Sequence, residues 1–445
     1  MRHAFLQRSA ILAAMTVLST MSIGAQETLI SRPVTPADAV EWREDLRSMS
    51  AEMRRRHNNL FHDVTETQFD SAVGDLSRRI PSLARHEIIV AMARIAAMIG
   101  DGHTNVAPTR DPRIRFHTYP IQLYKFPDGL RVRAAAIDHA DLVGWRVTGI
   151  GTMSIDRAYA AVRGIIGRDN EMDAAFFAPF LLVMPEVLHA LGVIDDMNRA
   201  AFFLERDGTV RTVTLSPSGL SALFAPDTDT SWCARPGWRD ARDGAEVPLP
   251  LWLRDPGDKY WFTCIPGVHT VYVQFNQVGD KQEESVAEFS SRLFKFVDTS
   301  RVDRFVLDLR LNRGGNGGLN RPLLLGMIKT KKINRPGHMF VIIGRATWSA
   351  AQFLINGLEE YTASIFVGEP SGGKVNSYGD SERITLPHSR ITVRVSALWW
   401  QGDPRDRRQW TAPQIAAPLT FEEYASNRDP AMEAILSFTA GNPPR

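Results

Sequence analysis

Cysteine is nearly absent from this chain: Cys233 and Cys264 are the only two. Two thiols make neither a disulfide framework nor a set of metal ligands. What stays open is one bridge between them or two separately buried thiols, since an unpaired Cys behaves as a small apolar side chain. An excess of one charge is missing as well, with 52 basic against 50 acidic side chains. Because Arg2 and Arg8 lie in the extreme N-terminal segment, the rest of the chain is balanced and offers no overall field for nucleic acid or anionic lipid. Long apolar runs are also lacking. Ala10–Leu18 falls short of the about 20 residues that cross a bilayer, and nothing later approaches that length, which argues against stable membrane insertion. No Gly-Lys-Ser/Thr follows a Gly-rich loop and no dinucleotide spacing is present. No metal or organic cofactor is expected, no internal repeat is found, and oligomeric state is not readable.

What is present begins with a positively charged start, the short apolar stretch and the small residues Ser22-Ile23-Gly24-Ala25. These read as a secretory signal over 1–25, so the protein is expected to be exported, periplasmic or extracellular, with its mature chain starting near Gln26. A helical domain is expected over 26–115. Thr35-Pro36 with Asp38 makes a helix start, and Trp42, Leu46, Met49 and Met53 recur at helical spacing. A second helix is expected at about 66–80, and a third carries Ile88 to Ile99 and stops at Gly100-Asp101-Gly102. Arg54-Arg55-Arg56 falls late in the first helix, as a solvated face or a complement to the helix C-terminus.

Over 116–216 the pattern changes to a small mixed domain. Strands flank Pro127-Asp128-Gly129, and a hairpin turns at Arg206-Asp207-Gly208. Residues 217–258 show little periodicity and read as a connector. From 259 to 440 strands and helices alternate, with strands at 270–275, 304–309, 339–343 and 364–367, an α/β layout.

Three elements of that last region carry chemistry. Asp308-Leu309-Arg310 ends a strand and opens into Asn312-Arg313-Gly314-Gly315-Asn316-Gly317-Gly318. Residues without Cβ let backbone approach a substrate and aim an N–H at an oxyanion. Ser349 stands at the start of a helix, where backbone N–H groups and the helix dipole favour developing negative charge; an ordinary N-capping Ser is the plain alternative. Lys374 follows in the Gly-rich turn Ser371-Gly372-Gly373-Lys374. A hydroxyl nucleophile needs a base. Lys374 must be neutralised from a pKa of about 10.4, costing about 4.6 kcal/mol at pH 7. His103, with an ordinary pKa of about 6.5, is neutral there at almost no cost. Chemistry favours His103, but position along the chain does not tell whether it reaches Ser349. Arg310 and Asp308 are expected to tie the strand end together; Trp399-Trp400 are expected in the core, where paired aromatics more often lie, with the lining of a substrate groove as the alternative.

These motifs resemble those of the tail-specific, or C-terminal processing, serine peptidases. Asp-Leu-Arg-x-Asn-x-Gly-Gly matches at 308–315, Ser-Ala-Ala at Ser349–Ala351, and the Gly-Lys turn at Gly373-Lys374. The resemblance covers about 250–440, with Gly144–Val162 similar to the family's PDZ-like domain. It implies a crotonase-like catalytic core, a polypeptide substrate, an oxyanion hole from Gly315 or Gly314 with Ala350, and Ser349 as nucleophile. The Ser-to-Lys spacing places Lys374 ahead as base. Asp101-Gly102-His103-Thr104 resembles the motif of members related to the tricorn protease, in which a His activates the Ser, and Tyr378 stands where processing proteases carry Gln. Asp380 is a candidate for orienting the base. The other reading on this fold is a non-catalytic binding protein for apolar ligands or peptides, similar to the retinoid-binding relatives.

Overall fold

The structure, a computed structural model, describes residues 28–108, 111–219, 232 and 235–439. The segment read as a signal lies outside the described residues. So does Cys233, and with it the question of a bridge to Cys264.

Three helices come first: Pro36–Arg56, Glu66–Arg79 and Arg85–Ala97. The first starts as its sequence dictates. The Thr35 hydroxyl accepts from the Asp38 N–H and the Asp38 carboxylate accepts from the Thr35 N–H, with Pro36 at the first helical position, so both orphan donors are met locally. Arg54 pairs with Glu66 and Asp70, and Arg56 with Glu52 and Glu382, at the helix's last turn. Trp42, Leu46, Met49 and Met53 are buried.

An antiparallel sheet follows, in the order Ile121–Phe126, Gly129–Ala136, Arg146–Ile150, Ala200–Arg206, Thr209–Leu215. Its last hairpin turns with Asp207 and Gly208 at φ of 52° and 76°, the left-handed pair that matches the twist of its strands. The three helices and the inner face of this sheet share one hydrophobic core, which also takes in Ile384, Val393 and Val395 from far downstream. Within 217–258, the described part holds the short strand Trp238–Asp240, paired to Gly129–Ala136; period-two alternation is too brief there to read from sequence.

The third region is a six-stranded sheet in the order Ile415–Ala416, Ile365–Gly368, Met339–Ile343, Arg304–Asp308, Thr270–Phe275, Tyr260–Ile265, parallel except for the last pair. Every residue of Thr270–Phe275 and Met339–Ile343 is buried, because helices and loops cover both faces of a parallel sheet. Val286–Thr299, Arg321–Lys329 and Ala350–Tyr361 cover one face, and Pro430–Ser437 packs on the other. The fold is mixed α/β. Among the described residues, no helix is long and apolar enough to cross a membrane.

Two features of this topology build the site. Arg304–Asp308 and Met339–Ile343 are adjacent and parallel, with Asp308 opposite Ile342, so the loops leaving their C-terminal ends emerge side by side. A three-stranded sheet then joins the chain's two ends: Asn105–Val106 pairs with Thr392–Trp400, which pairs with Ser377–Thr385. That pairing carries residues near position 103 to the mouth of the parallel sheet.

Candidate active site

Ser349 has φ 55° and ψ −125°. A non-Gly residue held there stores roughly 1–3 kcal/mol of backbone strain, and neighbouring bonds enforce it. The Thr347 hydroxyl donates to the Leu309 carbonyl at 2.9 Å and accepts from the Gly344 N–H at 3.0 Å. The Trp348 N–H bonds the Asn312 carbonyl at 3.1 Å. The helix Ala350–Tyr361 begins directly after, yet the Ser349 side chain makes no capping bond to it. Its Oγ instead lies 3.0 Å from His103 Nε2. A capping serine would turn its oxygen to the helix N–H groups; this one presents it to an imidazole.

Strand Arg304–Asp308 delivers the glycines. The Arg310 guanidinium bridges Asp308 and both oxygens of Asp429 at 3.0–3.1 Å, and the Tyr272 hydroxyl donates to Asp308 at 2.7 Å, so this pair ties the strand end as expected. A Cβ on Gly314 would sit 2.7 Å from Ser349 Cβ and 2.8 Å from Ala350 N, and one on Gly315 would sit 2.1 Å from the Val278 carbonyl oxygen. Both positions, at φ 95° and 137°, require glycine. The Gly314 N–H already donates to Asn312 Oδ1 at 2.8 Å, which removes it from the candidate oxyanion donors. The N–H groups of Gly315 and Ala350 hold no hydrogen bond among the described residues.

His103 is stacked on Trp348, ring centroids 3.8 Å apart. Burial, the dominant cause, lowers its pKa to about 4 against an opposing pull from the Asp101 charge. The ring is therefore neutral at pH 7. Its Nδ1 is buried and has no hydrogen-bond partner among the described residues. With Nε2 against the Ser349 hydroxyl, the tautomer that serves a base carries its hydrogen on Nδ1 and its lone pair on Nε2.

Below the imidazole lies a buried carboxylate that the sequence shows only as one member of a motif. Asp101 Oδ1 accepts from the N–H of His103 at 2.9 Å, the N–H of Thr104 at 2.7 Å and the hydroxyl of Ser396 at 2.6 Å. Its Oδ2 lies 2.9 Å from His57 Nε2, with His62 at 4.0 Å. Burial opposes ionisation, but these partners outweigh it and hold the carboxyl well below the usual range. His57, His62 and Asp101 place one donor atom each within 4.8 Å of one another, a spacing a metal ion tolerates. However, His57 Nδ1 accepts the Asn59 N–H at 3.0 Å, so Nε2 carries the hydrogen and donates to Asp101. His57 and Asp101 are thus a hydrogen-bonded pair that supports the loop, while His62 Nε2 is buried beside them without a hydrogen-bond partner among the described residues.

Asp169 is a second residue that sequence reasoning misses. Its carboxylate accepts from the Gly102 N–H at 2.9 Å and from Trp348 Nε1 at 2.7 Å, tying the residue before His103 to the residue before Ser349. Burial and then the nearby Asp173 push its pKa up to about 7. The one cue in the sequence is the polar run Arg168-Asp169-Asn170 before an apolar helix, where Asn170 alone suffices as the cap.

Lys374, expected ahead of His103, is half-buried on the turn beside Gln352. It forms no hydrogen bond to Ser349, and its charge is felt by Asp169. The residue against Ser349 Oγ is His103. Asp380 is exposed and accepts the Trp400 indole N–H at 2.7 Å; it does not orient the imidazole. Trp399 and Trp400 are 40% and 41% exposed, not core. They sit at the far end of the hairpin Ser377–Thr385/Thr392–Trp400, beyond Ile384, Val393 and Val395, the part of it that joins the core.

No protein-family model matches the chain, and no curated protein matches it. Among solved structures, it is similar to mature CPAF, with a TM-score of 0.58 at 12% identity over 89% of this chain and 96% of that one. The complex of mature CPAF with lactacystin gives the same score and identity over 87% and 96%. The photosystem II D1 C-terminal processing protease superposes at a TM-score of 0.40 with 14% identity, over 91% and 97%. At these identities the likeness to CPAF is one of fold, spanning nearly the whole of both chains.

Proposed function

We propose that this protein is an exported serine peptidase that cleaves polypeptides, with Ser349 as nucleophile and His103, rather than Lys374, as general base. The observation that carries the reading is the 3.0 Å contact between His103 Nε2 and a serine oxygen that is strained and withheld from its own helix. The resemblance at 308–315 and 349–351 and the CPAF-like fold support it, and so does the resemblance of the last region to a crotonase-like core with a PDZ-like unit before it.

The neutral imidazole takes the Ser349 proton as Oγ attacks the scissile carbonyl carbon. The tetrahedral oxyanion is received by the N–H groups of Ala350 and Gly315, the former at a helix start. On collapse the C–N bond breaks, and the leaving amine takes the proton from Nε2. Water then repeats the sequence on the acyl-enzyme and restores Ser349. Asp101 and Asp169 hold the two loops in register throughout.

The test is labelling of the purified protein with a fluorophosphonate probe and mapping of the modified residue, alongside hydrolysis of an unfolded protein substrate. Ser349 is the expected site, and Ser349→Ala is expected to abolish both. Absence of labelling and hydrolysis in the wild type, with tight binding of an apolar ligand, would move the assignment to a binding protein. Export is checked by N-terminal sequencing, expected to begin near Gln26.

A further inference from the structure

Trp399 and Trp400 are large apolar side chains that the core does not use. In their hairpin, Ser377 pairs with Trp400, Tyr378 with Trp399 and Gly379 with Leu398. Alternation puts Leu398, Trp400 and Gly379 on one face and Tyr378 and Trp399 on the other. The face with Trp400 is the one that looks onto the reacting groups. A Cβ on Gly379 would meet Trp400 Cδ1 at 3.2 Å and His103 Cε1 at 3.8 Å. The indole and the imidazole thus flank a single bare backbone position.

Trp400 is exposed, yet it is held. Its Nε1–H donates to Asp380 Oδ2 at 2.7 Å, and its ring packs against Phe353 with centroids 5.2 Å apart. Phe353 stands on the first turn of the helix that Ser349 opens, its N–H bonded to the Ser349 carbonyl. On the far side of Phe353 run Gly315 to Gly318, exposed and nearly bare of side chains; a Cβ on Gly317 would lie 3.6 Å from the Phe353 ring. An indole fixed by a hydrogen bond and a ring partner, but left open to solvent, presents apolar area whose ordering cost is already met by the fold.

We propose that Trp400, backed by Phe353 and with Leu398 on the same face, walls a subsite that receives an apolar side chain of an extended polypeptide bound at Ser349. The inference rests on the peptidase reading and adds its substrate class. Continuity of the patch with His103 through Gly379 favours substrate over a second protein as the occupant. The Asp380 carboxylate beside the indole disfavours an acidic side chain there.

The experiment profiles cleavage of a peptide library by the wild type, Trp400→Ala and Trp400→Phe, with glycine at each position as the internal reference. The wild type is expected to prefer leucine or phenylalanine over glycine at one position near the scissile bond by at least roughly 10-fold in kcat/KM, the low end of what a single methylene contributes in an apolar pocket. Trp400→Ala is expected to collapse that ratio by about tenfold or more, and Trp400→Phe to keep most of it. An unchanged ratio in Trp400→Ala, or loss of a preference for lysine or arginine instead, would overturn the proposal. Should the wild type neither cleave nor react with the fluorophosphonate, the peptidase reading fails by itself. The subsite is then read from binding of the same peptides by fluorescence anisotropy. Equal affinity of wild type and Trp400→Ala for the apolar peptides sinks it, and selective weakening in Trp400→Ala upholds it.

Discussion

The two flanks of Ser349 are built on opposite principles. On the inner flank, Asp101, His57, Ser396, Asp169 and Trp348 are buried; Asp101 accepts from its neighbours His103 and Thr104 and from the distant His57 and Ser396, and Asp169 accepts from the distant Gly102 and Trp348. On the outer flank, Gly315 to Gly318, Leu398 and Trp400 are exposed, and the free groups are backbone N–H and apolar surface. A buried polar network fixes geometry because every unpaired member is costly in low dielectric. An open rim of glycine and anchored aromatics leaves room for a chain to enter. The inner flank therefore sets whether Ser349 and His103 meet, and the outer flank sets what meets them.

The largest effects belong to the meeting itself. Ser349→Ala and His103→Ala are each expected to lower kcat/KM by at least ~10³-fold, measured on a common peptide, with the fold checked by circular dichroism. A His103→Ala enzyme of near wild-type rate would break the division between the flanks.

Next comes the support beneath His103. Asp101→Ala leaves two backbone N–H groups, a hydroxyl and an imidazole without their acceptor, and is expected to cost about 3 kcal/mol or more of stability. Urea unfolding reads this directly. A loss under about 1 kcal/mol would mean that the inner flank is not the fixed half.

The pH profile sharpens the comparison. A base must be unprotonated to act, and burial holds His103 at about 4. The part of kcat/KM that depends on His103 is therefore expected to rise with pH through about 4 and to be complete by 6.5. The same shift has a stability consequence. The unfolded imidazole binds its proton at the ordinary value of 6.5 and the folded one only near 4. This group's contribution is thus full above 6.5 and is lost as pH falls through 4. An activity rise centred well above 7 would return Lys374 to the role of base.

The smallest effects come from the edge of the network. Ionisation of Asp169 near pH 7 strengthens its bonds from Gly102 and Trp348. It is expected to add a second rise of under ~threefold in kcat/KM, absent in Asp169→Asn. Lys374→Ala is expected to keep activity within ~threefold and to move that second rise upward, because the Lys374 charge favours ionised Asp169. Inactivity of Lys374→Ala would overturn the assignment of the base.

Features closed by neighbours along the chain are legible in the sequence. The Thr35-Pro36 start, the turn at Asp207-Gly208, and the buried strands Thr270–Phe275, Arg304–Asp308 and Met339–Ile343 all follow from local rules. So does the appearance of a Gly-rich loop and a helix-start serine in the same α/β unit. The partner of that serine is not legible, since His103 and Ser349 stand 246 positions apart and no periodicity encodes which distant loop arrives. The expectation that Trp399-Trp400 belongs to the core fails for a related reason. Apolar composition says that a residue gains by burial, but only the finished sheet shows whether a layer remains to cover it.

The sequence by itself determined the local conformations and the chemistry on offer: glycines that leave the backbone bare, a serine at a helix start, an imidazole and a lysine amine as rival bases. Only the tertiary structure tells which of them lies against the serine. Pairing of Asn105–Val106 with Arg394 and Val393 brings His103, and not Lys374, to Ser349 Oγ, and burial in that position keeps the imidazole neutral. Which groups touch, and what dielectric they share, are properties of the packed chain rather than of any segment of it.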